Sequence, residues 1–198
     1  MNTLARLLLS LVLWISTAHG AELNTLDIAQ SRIVFAYKQM NVPMEGGFKR
    51  FGGQLVFDPA KPTLARTALT IDLASIDTGS AEGDAEVAGK LWFNTRQFPV
   101  ARFESTSVKA LGNNRFLVTG KMSIKGRTRV VSTPASFSQQ GANGVFEGAF
   151  VIKRADYGIG EGLWADFDAV ANEVQIRYRL VASAAATKSS RNAAGTKQ

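Results

Sequence analysis

The stretch Val174-Gln175-Ile176-Arg177-Tyr178-Arg179-Leu180 decides the fold. Every second residue is large and apolar or aromatic, and the residues between are Gln, Arg and Arg. A period of two puts Val174, Ile176, Tyr178 and Leu180 on one buried face of a strand, with the polar set facing water. Four further runs repeat the pattern. Ile33, Phe35 and Tyr37 alternate with Arg32, Val34, Ala36 and Lys38, and Leu69, Ile71 and Leu73 with Ala68, Thr70 and Asp72. Phe116, Val118, Met122 and Ile124 alternate with Leu117, Thr119, Lys121 and Ser123, with Gly120 on the inward register. Phe146, Phe150 and Ile152 alternate with Glu147, Ala149, Val151 and Lys153.

Turn formers separate these runs: Gly46-Gly47, Gly52-Gly53, Asp58-Pro59, Gly112-Asn113-Asn114, Lys125-Gly126 and 141–144. That spacing favours antiparallel hairpins over βαβ units. Strands of about ten residues exceed the usual five or six, and long antiparallel strands hide their edges by closing or folding over. The expectation is an all-β barrel or sandwich. One short helix is expected, from about Ala81 to Trp92, with Ser80 as N-cap and Glu82 in its first turn.

The ends of the chain read differently. Residues 1–20 combine a short basic start (Arg6), an apolar run (Leu7 to Ile15) and Ala18-His19-Gly20 before Ala21. The run is too short for a bilayer span, which needs about 20 residues. It reads as a secretory signal cleaved near Gly20-Ala21, which implies the periplasm or the medium. Residues 183–198 contain no large apolar side chain and read as a disordered basic tail.

Cleavage matters for chemistry. The 198-residue chain has no Cys and one His, and that His19 leaves with the signal. Ser-His-Asp and Cys-His catalysis, and zinc sites with thiolate or imidazole ligands, are thereby excluded. The formal charge of +7 at first suggests a nucleic-acid partner. Arg6 goes with the signal, however, and Lys188, Arg191 and Lys197 lie in the tail. The exported address removes nucleic acid as a partner. What remains is unevenness: basic residues crowd 87–155, while acids gather at 72–86 and 156–173. The basic turn Lys125-Gly126-Arg127-Thr128-Arg129 reads as a solvated hairpin, or as a contact for an anionic head group or membrane surface.

Other motifs are weak. Gly158-Ile159-Gly160-Glu161-Gly162 lacks dinucleotide-loop spacing and reads as a glycine-rich bend. Asp77, Glu82, Asp84, Glu86, Asp166 and Asp168 read as solvated loop acids or helix N-terminal charges rather than a metal or acid–base site. The aromatics, 12 Phe, 3 Tyr and 3 Trp, are more telling, since many fall on buried registers. A closed sheet either fills itself or encloses one ligand. Small inward residues (Gly120, Gly148, Thr67, Ser105) are expected to leave room.

Several of these residues also occur in a known order. Phe35, Gly47-Phe48, Phe51-Gly52-Gly53, Ser75-Ile76-Asp77-Thr78, Asp84, Trp92-Phe93-Asn94, Phe98-Pro99 and Phe103-Glu104-Ser105 come first. Residues 118–126 (VTGKMSIKG), 152–159 (IKRADYGI) and Val174-Gln175-Ile176 follow. In this the chain resembles the YceI-like family of exported bacterial proteins, over about Leu26 to Ala182. The resemblance implies an eight-stranded antiparallel, lipocalin-like barrel with one helix, so that a domain over 21–182 is expected. It implies an elongated apolar cavity for a long-chain amphiphile such as a polyisoprenoid or fatty-acid derivative. With neither His nor Cys after residue 20, no enzymatic activity is expected, and no cofactor beyond a bound polyisoprenoid, quinone-like or lipid-like ligand. Family members often carry His where this chain has Lys38-Gln39-Met40 and Glu86, so those histidines' roles do not carry over.

The residues assigned to the ligand are Phe35, Tyr37, Phe48, Phe93, Phe103, Phe116, Met122, Phe150, Trp164 and Tyr178 along the wall, with Arg154 and Tyr157 at a polar mouth. A hydrophobic small molecule is the expected partner, with transient membrane contact and a homodimer both compatible. The alternative is an envelope structural or interaction module whose barrel is filled by its own side chains.

Overall fold

The computed structural model describes residues 22–185, and the expected signal and the tail beyond 185 lie outside them. Ten strand segments form one antiparallel sheet. They are β1 (Thr25–Gln39), β2 (Val42–Phe48), β3 (Phe51–Val56), β4 (Arg66–Asp72), β5 (Ile76–Asp77), β6 (Val100–Gly112), β7 (Arg115–Ile124), β8 (Arg127–Gln140), β9 (Asn143–Lys153) and β10 (Glu173–Ser183). The order across the sheet is β3-β4-β6-β7-β8-β9-β10-β1-β2-β5. Ser183, expected at the start of a disordered tail, instead ends β10 opposite Thr25.

The sheet is strongly curled, and its outermost segments are tied back to it. β3 follows β2 after Lys49-Arg50, and β5 follows β4 after the short turn Leu73–Ser75. At that corner the Ser75 hydroxyl donates to the Asp72 and Arg50 carbonyls and accepts from the Arg50 N–H, at 2.7, 3.2 and 2.9 Å. At the far end Leu23 and Phe57 exchange two backbone hydrogen bonds of 2.9 Å. Ten segments replace the expected eight because the corner at Lys49-Arg50 and the turn at Leu73–Ser75 each interrupt a run.

β7 and β8 join through Lys125-Gly126, both at positive φ (48° and 74°), which makes a tight hairpin. Pro134 lies inside β8, and β8 pairs with β9 only from Ala135 onward. The residue without an N–H thus sits where that ladder stops. Over residues 127–134 that edge of β8 is largely exposed, and Arg127 reaches the segment between β9 and β10 through its 3.2 Å ion pair with Glu161.

The one α-helix among the described residues, α1, spans Ala81–Ala88, with the Ser80 hydroxyl accepting from the Gly83 N–H at 3.0 Å. It is shorter than the expected 81–92. Gly89 turns extended (ψ 171°), and Trp92 and Phe93 follow in turns bonded to Gly89 and Val87. Of the acids weighed for chemistry, Asp84 accepts from both the N–H and hydroxyl of Thr78 (2.7 and 2.8 Å), and Asp77 pairs with Lys49 at 2.8 Å. Both fasten the approach to α1.

Candidate ligand-binding chamber

Alternation turns each strand into a ladder of inward side chains, and the curl wraps these ladders around a common lumen. Two adjoining spaces occupy it. The larger measures about 710 Å³ and the smaller about 110 Å³. Ile33, Ile71, Met122 and Ile176 line both. One step outward along the same strands stand Phe35, Leu73, Ile124 and Val174, and these line only the larger space. One step inward stand Leu69, Gly120 and Tyr178, of which Leu69 and Tyr178 line only the smaller space. The lumen is therefore layered, with a waist between an outer and an inner chamber.

Aromatic rings close the inner end. Phe57 meets Phe116, Phe137 and Phe146 at centroid distances of 5.6, 4.8 and 5.0 Å. Such edge and tilted contacts each stabilise by about 0.5–1.5 kcal/mol beyond area burial. At the outer end the lining turns polar: Gln39, Thr78, Ser80, Glu82 and Glu86. Glu86 is fixed by the Trp164 indole, whose Nε1–H donates to its Oε1 at 2.7 Å. Trp164 in turn packs on Trp92, with ring centroids 5.4 Å apart.

The residues assigned from sequence distribute clearly over these layers. Phe35, Tyr37, Phe48, Phe93, Trp164 and Arg154 line the outer chamber. Phe103, Phe116, Phe150 and Tyr178 line the inner one, and Met122 lines both. Burial raises the pKa of the Tyr37 and Tyr178 phenols, and the Tyr178 hydroxyl shares a 3.2 Å hydrogen bond with Thr133.

Two assignments need correction. Tyr157 lines neither chamber; it is 1% exposed. Its hydroxyl has no hydrogen-bond partner among the described residues, and burial pushes its pKa up to about 12. Arg154 does reach the wall, but it is 2% exposed and has no donor left for a ligand. Its guanidinium donates to six backbone carbonyls, those of Ile159, Gly160, Trp164, Asp166, Val170 and Ala171, at 2.7–3.3 Å. It clasps the 158–172 segment rather than greeting a head group. Gly160, at φ 73°, is required there, because a Cβ would collide with the Arg154 Nη1.

Two further expectations change. Gly120 and Gly148 were expected to leave open space, yet a Cβ at either would strike the ring of Phe103 or of Tyr178. The glycines let these rings lie flat on the sheet, so the room they provide is indirect. Part of the basic turn is engaged within the chain: Lys125 and Arg127 pair with Glu161 at 3.0 and 3.2 Å, while Arg127 to Arg129 stay exposed as a solvated hairpin would. Sequence reasoning missed Trp92 and the polar rim on α1. Trp92 had been placed at the end of a longer helix, and Glu86 among solvated acids.

With the chamber in view, comparison with known proteins is informative. A profile described as the YceI-like domain matches residues 25–182. The chain belongs to the YceI-like family. BcnA of Burkholderia cenocepacia, a protein of known structure, is 44% identical, with a TM-score of 0.78 over 80% of this chain and 99% of that one. A UPF0312 protein of Azotobacter vinelandii is 35% identical over 124 residues, 60% of this chain. That match spans 65% of the relative's length, just under two thirds. A polyisoprenoid-binding domain from Saccharophagus degradans shares the YceI-like fold at 20% identity, with a TM-score of 0.64 over 83% of this chain and 98% of that one.

Proposed function

We propose that this chain is a non-enzymatic, periplasmic binding or carrier protein that encloses the apolar tail of a long-chain amphiphile. The observation that carries this reading is the outer chamber of about 710 Å³, walled by Phe, Ile, Leu and Trp and rimmed by a few polar groups, among them Gln39, Thr78, Ser80, Glu82 and Glu86. That size falls within the range of small-molecule sites, which are mostly apolar with a few polar groups at one end. Burying each CH2 contributes about 0.8 kcal/mol, so ten buried carbons supply roughly 8 kcal/mol before ordering costs. Candidate ligands are polyisoprenoids, quinone-like molecules and fatty-acid derivatives. The name of the Saccharophagus degradans relative favours the first.

Binding by tail burial leaves the head group loosely read. The rim offers hydroxyls, an amide and two carboxylates, and Arg154 has spent its donors. The absence of His and Cys after residue 20 supports a role in binding rather than catalysis. The two tryptophans beyond residue 20, Trp92 and Trp164, both line the outer chamber, so their fluorescence is a direct reporter. Titrating a long-chain prenyl alcohol into delipidated protein should give a saturable emission change at one ligand per chain. A flat or non-saturating response would overturn the reading.

A further inference from the structure

The two chambers meet at a ring of four side chains contributed by four different strands: Ile33 from β1, Ile71 from β4, Met122 from β7 and Ile176 from β10. We propose that this ring is a length gate with Met122 as its movable member, and that the protein selects tails long enough to thread it. The proposal rests on the tail-binding reading above and assigns specificity within the same lumen.

The ring members differ in stiffness. The three isoleucines are β-branched and held at χ1. Met122 is unbranched, with three rotatable bonds and a polarizable sulfur, the side chain best suited to swing aside and repack. All four are shared by the two spaces, and the next inward-facing residue on each strand toward the outer end, Phe35, Leu73, Ile124 or Val174, lines only the larger one.

Beyond the ring lies the inner chamber. Its floor is the Phe57, Phe116 and Phe146 cluster, and its walls are apolar apart from Thr67 and the Thr133–Tyr178 hydroxyl pair. A dry apolar cavity of this kind takes up apolar groups. At about 30 Å³ per water-sized group, its volume of about 110 Å³ holds about four carbons. Each methylene placed there should raise affinity about fourfold. A tail that stops at the ring and one that fills the inner chamber should thus differ by about 250-fold. The outer chamber sets whether a tail binds; the ring and inner chamber set how long it should be.

The test uses delipidated full chain and saturated fatty alcohols lengthened two methylenes at a time. Wild type and Met122→Ala should gain affinity with length until both chambers are filled. Met122→Phe should reach its plateau about four methylenes earlier than wild type, whatever its affinity for the shortest alcohols. Ile176→Phe closes the ring from the opposite strand, and should shift the plateau equally, which guards against one variant folding poorly. The same plateau in every variant that binds short alcohols would overturn the gate alone. Failure of wild type to bind any alcohol would overturn tail binding, and the gate with it.

Discussion

Replacing Arg154 with Met keeps most of the side-chain volume and removes every donor. Arg154 makes seven hydrogen bonds to six carbonyls. Four are short: 2.7 Å to Trp164 and Val170, and 2.9 Å to Ile159 and Gly160. Hydrogen bonds to charged groups contribute about 1.5–3 kcal/mol each, and a buried carbonyl left unpartnered costs about 1–3 kcal/mol. Against this, no carboxylate among the described residues pairs with the buried guanidinium, and desolvation lowers its pKa from the ordinary value. Removing the charge recovers part of that penalty. The net expectation is a loss of about 3–5 kcal/mol, at the high end for a single substitution. Chemical denaturation should show it as a lower midpoint with an unchanged slope. Limited proteolysis should cut first within 158–172. A loss below about 1 kcal/mol, or unchanged resistance of that segment, would refute the clasp.

The remaining predictions concern single groups. Tyr157→Phe removes a buried hydroxyl that lacks a partner among the described residues, and should stabilise the protein by about 1 kcal/mol at neutral pH. The fold favours the neutral phenol, whose pKa rises from 10.0 to about 12. Wild-type stability from this group is therefore complete below pH 10 and falls by about 2–3 kcal/mol as pH rises through 12; the Phe variant should lack that loss in alkaline denaturation curves. Gly120→Val should push the Phe103 ring off the strand into the inner chamber. It should weaken long-tail binding measured by titration and cost about 1–3 kcal/mol in melting experiments. Lys125 and Arg127 hold the Glu161 carboxyl below its ordinary value. Their attachment of the 158–161 bend is complete above pH 4.5 and fades as pH falls through the depressed value. Glu161→Gln should show faster amide exchange in that bend at neutral pH, with under about 1 kcal/mol of global cost.

How much of this was legible in the sequence depends on phase. β10 alternates without interruption, so its inward face could be read directly. β1 could be read only from Arg32, because a bulge between Asp27 and Arg32 breaks its register. β6 escaped detection for the same reason: irregularities between Ser105 and Ser107 and between Ala110 and Gly112 shift its inward set. β8 carries Pro134 and a run of small polar residues, and its position follows from pairing with β7 rather than from its own pattern. At the site, the wall aromatics were readable because alternation assigns a face. Arg154 was not, because its role depends on carbonyls brought together by a bend with no periodicity. Nor does alternation reveal that glycine can host a neighbouring ring, which depends on the cross-strand partner.

The central claim is that the lumen houses an apolar tail. It is tested most directly by purifying the full-length protein without detergent, denaturing it in organic solvent and analysing the extract by mass spectrometry. The account predicts a long-chain amphiphile at close to one molecule per chain, retained through gel filtration and diminished by Met122→Phe. An extract free of such molecules, from protein that also fails to take up an added prenyl alcohol, would contradict it.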